Sequence, residues 1–122
     1  MRKPDVDKLI NEFIKNAEIH GEATYSGKYK VGNKASDRLF KIKKKMSENP
    51  SLAEEMLDIL LTDSKINVKI WASGIAIDLG YRLDEAVKIL EKISTMPDIG
   101  ILRFDAEMSL KARGLSGGDN SE

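Results

Sequence analysis

Asp105 and Glu107 are the residues of this chain that most resemble an acid–base couple, since general acid–base catalysis commonly works with two carboxylates. They lie two positions apart in a helical pattern, about 200° around the axis, so the two side chains cannot converge on one substrate atom. Glu107 falls four residues from both Arg103 and Lys111, the spacing of a solvated ion pair. Asp105 falls between two apolar faces and is expected to be a partly buried structural carboxylate that needs a basic or backbone partner. His20, the only histidine, precedes Gly21 at an expected helix end, where the dipole favours a positive imidazole. There is no cysteine, no serine in a nucleophile motif and no Gly-rich loop between a strand and a helix. The sequence therefore predicts no catalytic residue, no cofactor site, no metal ligand and no enzyme.

The candidate binding surface is a basic stripe. Lys34, Arg38, Lys41 and Lys45 recur at i, i+4, i+7 and i+11 on one line of a helix, and Lys44, with Lys43, widens it. Asp37 is the only acid between Gly27 and Ser47, so this helix either is a solvated outer face or offers positive charge to an acidic protein or to phosphates. No aromatic platform is interleaved with it, which places nucleic acid behind a protein partner. The charge is polarised along the chain: residues 1–50 carry 12 Lys/Arg and 7 Asp/Glu, and residues 51–122 carry 8 and 13, for a net charge of zero.

The elements that must position these residues are all helical. Val6, Leu9, Ile10, Phe13, Ile14 and Ala17 predict a first helix from Pro4-Asp5 to Gly21. Residues 22–32, rich in glycine and carrying Tyr25 and Tyr29, read as a connection. Ala35, Leu39, Ile42 and Met46 predict a second helix over about 33–47, stopped by Asn49-Pro50. Ser51 and Glu54 match a capping box for a third, and Asp63 is expected to cap a fourth over 65–79, closed by Gly80. A fifth covers about 84–95, and a sixth runs from Ile99 to Arg113, with Gly114 as its stop.

The fourth helix is apolar on two sides. Val68, Trp71, Ala72, Ile75 and Leu79 share one face, and Ile66, Ile70 and Ile77 share the opposite one. Such a helix is sandwiched between neighbours, or else it buries Ile66, Ile70 and Ile77 in a homodimer. The sixth helix has the same character, with Leu102, Ala106 and Leu110 on one face and Ile101, Phe104, Met108 and Ala112 on another. Stacked helical hairpins produce this pattern, because each inner helix touches the hairpin on either side. Trp71, the only tryptophan, is placed in the core, while Tyr25, Tyr29 and Tyr81 lie beside connections, where they cover core edges or meet a partner.

The stretch Leu61-Thr62-Asp63 through Asn67-Val68-Lys69-Ile70-Trp71-Ala72 resembles a HEAT repeat, with an Asp-containing turn, a Val-basic pair and small apolar residues. Together with Asn33-Lys34, Leu39-Phe40, Ala86-Val87, Ile89-Leu90-Glu91 and the C-terminal run Phe104-Asp105-Ala106-Glu107-Met108-Ser109-Leu110, it is similar to a small bacterial family of uncharacterised HEAT/armadillo-like helical proteins. The resemblance covers roughly residues 27–114. It implies an α-α superhelix with no assigned activity, whose members are sometimes suspected to be immunity proteins beside toxin genes. Ser73-Gly74 departs from the expected alanine; glycine inside a helix costs about 1 kcal/mol against alanine, offset where helices approach closely.

With 122 residues and 41% hydrophobic content, the chain is expected to form one all-α domain of about six helices, stacked as hairpins over residues 1–114, followed by a flexible polar tail, 115–122. The absence of cysteine and of a long apolar run points to a cytoplasmic protein without a membrane span. The expected function is protein–protein interaction, concretely that of an immunity-type protein. A nucleic-acid-binding helical-repeat protein and a self-associating structural protein are the alternatives.

Overall fold

The structure, a computed structural model, describes residues 4–115. Of the expected polar tail, 115–122, Leu115 is described and packs against the core, its N–H bonding to the Leu110 carbonyl at 2.8 Å, while residues 116–122, like 1–3, lie outside the described residues. Six helices follow one another: α1 (Pro4–Ser26), α2 (Tyr29–Glu48), α3 (Pro50–Leu60), α4 (Ile66–Leu79), α5 (Leu83–Ser94) and α6 (Ile101–Ala112). No strand occurs among the described residues, and no described helix is long and apolar enough to cross a membrane.

The first helix runs past Gly21, which the sequence marks as its end. Gly21 is buried in mid-helix because Asn67 of α4 presses against it: a Cβ there would run into the Asn67 amide. The glycine is kept for this crossing, and the helix continues to a true stop at Gly27. There the chain turns left-handed (φ +74°), and Lys28 N–H reaches back to the Ala23 carbonyl at 3.1 Å. The same closure ends α4 at Gly80 (φ +72°), where Tyr81 N–H bonds to the Ala76 carbonyl at 2.9 Å. Because the first connection shrinks to a tight turn, α1 and α2 form an antiparallel hairpin and α2 starts at Tyr29, four residues earlier than its apolar pattern suggests.

Two caps also differ from the sequence reading. Asn49, with φ −140°, accepts a hydrogen bond from Leu52 N–H at 3.2 Å and is the N-cap of α3, so Ser51 lies inside the helix rather than capping it. Pro50 explains the shift: its missing N–H and fixed φ suit the first helical position. Asp63 Oδ1 accepts from Lys65 N–H at 2.8 Å, turning the chain toward α4, whose N-cap residue is Lys65 itself. At the other end, Asp98 (φ +64°) and Gly100 (φ +62°) delay the start of α6 from Ile99 to Ile101.

The core has two parts, divided by α4. Phe13, Leu39, Met46, Met56 and Leu57 pack with Val68, Ala72, Ile75 and Ala76 of α4. On the far side of α4, Ile66, Ile70 and Ile77 pack against Leu90, Ile93, Ala106 and Leu110 of α5 and α6. The isoleucine face considered for a homodimer is thus largely covered within the chain, each side chain staying partly exposed. Each fully buried Val, Leu, Ile, Phe or Met side chain contributes roughly 1.5–3 kcal/mol, and α4 sits in the middle, against α1, α3, α5 and α6. Helix α6 behaves differently from the expected sandwich. Leu102, Ala106 and Leu110 are buried, but Ile101, Phe104 and Met108 remain exposed, because among the described residues no helix follows to cover them.

Candidate binding groove

The exposed side of α6, the middle of α4 and the adjoining parts of α1 and α2 enclose a groove with a volume of about 310 Å³. Trp71 forms its aromatic wall, half in and half out of the core on which the sequence places it. The His20 ring meets Trp71 edge-to-face at 5.3 Å and 89°, and the Phe40 ring meets it at 5.6 Å and 72°. Ile70, Ile75 and Met108 supply the remaining apolar lining. Phe40 and Met108 are 54% and 43% exposed, and Phe104, one helical turn from Met108 and 55% exposed, continues this surface along α6.

One end of the groove is closed by a complete ionic network. Asp78, at the end of α4, accepts from Lys43 Nζ at 2.6 Å and from both Arg113 Nε and Nη2, at 2.7 and 2.8 Å. Arg113 Nη1 also donates to the Ser109 carbonyl and hydroxyl, at 3.0 and 2.9 Å. The hydrogen bond from Arg113, followed by that from Lys43, holds the Asp78 carboxyl below the usual carboxylate range. Gly74 makes the network reachable: a Cβ at this position would stand 3.0 Å from Arg113 Nη2. The close approach expected at this helical glycine is made by a guanidinium rather than by the backbone of a neighbouring helix.

The other end carries Asp105 and His20. Asp105 is half-buried as expected, but the partner expected for it is missing: among the described residues no hydrogen bond reaches its carboxylate. Burial pushes its carboxyl above the ordinary value, an effect opposed by the nearby His20. Burial pushes His20 below its ordinary value, with Asp105 opposing. The histidine is not at a helix end, as the sequence suggests, but inside α1 and against Trp71, in a site that favours neutral imidazole. Although Ser109, His20 and Asp105 share the groove, they form no nucleophile relay. The Ser109 hydroxyl accepts from Arg113, and no hydrogen bond joins His20 to either residue among those described.

The basic stripe lies apart from the groove. Lys34, Arg38, Lys41, Lys44 and Lys45 are all exposed on α2, and Arg38 is paired with Glu12 of α1 at 3.0 Å. Lys43, which the sequence assigns to the same stripe, instead turns to Asp78 and lines the groove. Glu107 pairs with Lys111 at 3.6 Å, as its spacing predicts, whereas Arg103 donates to the Ser94 carbonyl at 3.2 Å. Tyr25 and Tyr81 secure connections: the Tyr25 hydroxyl donates to the Ile99 carbonyl, and the Tyr81 hydroxyl to Asp58 Oδ1 at 2.6 Å.

His20, Trp71 and Asp105 are each visible in the sequence, but their meeting is not, because they belong to three helices and no spacing links them. In comparisons with known proteins, the chain matches no family model, no curated protein and no solved structure.

Proposed function

We propose that this chain is a non-enzymatic protein-interaction module whose partner docks on the groove between α2, α4 and α6. The observation that carries the proposal is the exposure of Phe40, Phe104 and Met108 around and beside a groove walled by Trp71. Aromatic residues and methionine are enriched where proteins meet, and soluble chains seldom leave them clustered in water. In its most concrete form, carried by the family resemblance alone, the module is a cytoplasmic immunity protein that occludes a toxin. A second reading, phosphate binding by exposed Lys34, Lys41, Lys44 and Lys45, predicts affinity that falls steeply with salt.

Parallel affinity capture from source-cell lysate, with tagged wild type, Phe40→Asp and a Lys34→Glu/Lys41→Glu double variant, tests the proposal. All three substitutions are at exposed positions. The proposal expects one stoichiometric protein, retained at high salt and lost only with Phe40→Asp. Nucleic acid lost with the lysine variant and at high salt would replace it with the phosphate reading.

A further inference from the structure

The groove contains a carboxylate with no cation of its own, and this indicates which group of the partner it receives. Asp105 is half-buried without a hydrogen bond among the described residues, and burial already disfavours its charged form, so a donor brought by a ligand would stabilise it. The ionisable groups around the groove are His20 on α1, Lys43 on α2, Asp78 on α4, Asp105 on α6 and Arg113 just past its end. Lys43 and Arg113 are both engaged by Asp78, and His20 is biased toward its neutral form. The charged group that acts on the Asp105 carboxyl is His20, while the Arg113 guanidinium is held by Asp78 and Ser109. Among the described residues no lysine or arginine therefore pairs with Asp105.

The surroundings of that carboxylate suit one type of cation. Trp71 and Phe40 offer aromatic surface and Met108 and Ile70 aliphatic surface, along which a long side chain can lie while its charged head reaches the carboxylate. A planar guanidinium can pair with a carboxylate through two hydrogen bonds and stack on aromatic rings, which a compact, strongly hydrated ammonium does less well. The volume of about 310 Å³ is at the small end for ligand pockets, room for one long side chain rather than a folded segment. The apolar surface around Phe104 extends beyond the pocket, as a macromolecular ligand requires. We infer that the Trp71–Asp105 end of the groove seats an arginine side chain of the partner protein, its guanidinium paired with the Asp105 carboxylate. This inference rests on the protein-interaction reading and specifies its chemistry.

Trp71 is the only tryptophan, so intrinsic emission reports the groove directly. The probe is the blocked peptide Ac-Leu-Arg-Leu-NH2, compared with the peptide in which neutral citrulline replaces arginine, titrated into wild type and Asp105→Asn. The inference expects a saturable emission change with the arginine peptide, weakened by roughly tenfold when either charge is removed, as for loss of one charge-assisted contact. Equal affinity for the citrulline peptide, undiminished binding by Asp105→Asn, or no saturable response would overturn it. Thermal melting of Asp105→Asn confirms that the variant is folded. A captured protein that is lost with Phe40→Asp but retained by Asp105→Asn would leave the interaction module standing and remove the arginine.

Discussion

Asp78 and Asp105 face the same groove from α4 and α6, and their surroundings differ in every respect that matters for a carboxylate. Asp78 accepts three hydrogen bonds from two cations brought from α2 and α6, so its charge is stabilised by the fold and joins the three helices. Asp105 is half-buried and accepts no hydrogen bond among the described residues, and the charged group acting on it is the weakly basic His20. The first carboxylate contributes to stability. Burial disfavours the charged form of the second.

The substitution with the largest expected effect on this arrangement is Gly21→Val. A side chain there must displace Asn67, and with it the seating of α1 and His20 against α4. Overpacking of this kind costs typically 1–3 kcal/mol, enough to reverse any gain in helix propensity, and a denaturant melt would measure it. Asp78→Ala comes next. It leaves Lys43 and Arg113, both partly solvated, without their acceptor, and after allowance for solvent screening the expected loss is about 1 kcal/mol. Because Asp78 is depressed in the folded state, its contribution is present above its unfolded pKa and is lost as pH falls through the folded value. The gap between wild type and Asp78→Ala should therefore close in acid.

Asp105→Asn should behave in the opposite sense. A carboxyl raised in the folded state favours folding fully below its unfolded pKa, and that contribution is lost as pH rises through the folded value. At neutral pH the asparagine variant is therefore expected to melt at or slightly above the wild-type temperature, an advantage that disappears on acidification. A melting temperature clearly below wild type at neutral pH would mean that Asp105 has a stabilising partner, and the contrast with Asp78 would fail. The smallest effect belongs to Glu107→Gln, which removes an exposed i,i+4 pair with Lys111 worth roughly 0.3 kcal/mol and should leave partner binding unchanged.

Much of the fold was legible because helices announce themselves locally. The left-handed stop at Gly80, the proline stop at Asn49-Pro50 and the two apolar faces of α4 all follow from patterns within about twenty residues. Gly21 was misread because a glycine required by a neighbouring helix looks, in one dimension, like a glycine that ends its own. The same limit applies to the groove. Phe104 and Met108 form a readable apolar stripe, but its exposure depends on whether another helix covers it. Lys43 belongs by spacing with Lys44 and Lys45, and only the position of Asp78 shows that it turns the other way. Asp105 was recognised as partly buried from its place between two faces, whereas the missing partner could be seen only with α1 and α4 in place.

The central claim, that a protein partner occupies the groove, is tested most directly by replacing Trp71 with 5-fluorotryptophan during expression and recording its fluorine resonance with and without the captured partner. With one tryptophan in the chain, a single line is observed. The account predicts that the line shifts or broadens in proportion to complex formed, as followed independently by size-exclusion chromatography. A complex that elutes as one species while the Trp71 line stays unmoved would contradict it, and would place the interface elsewhere on the molecule.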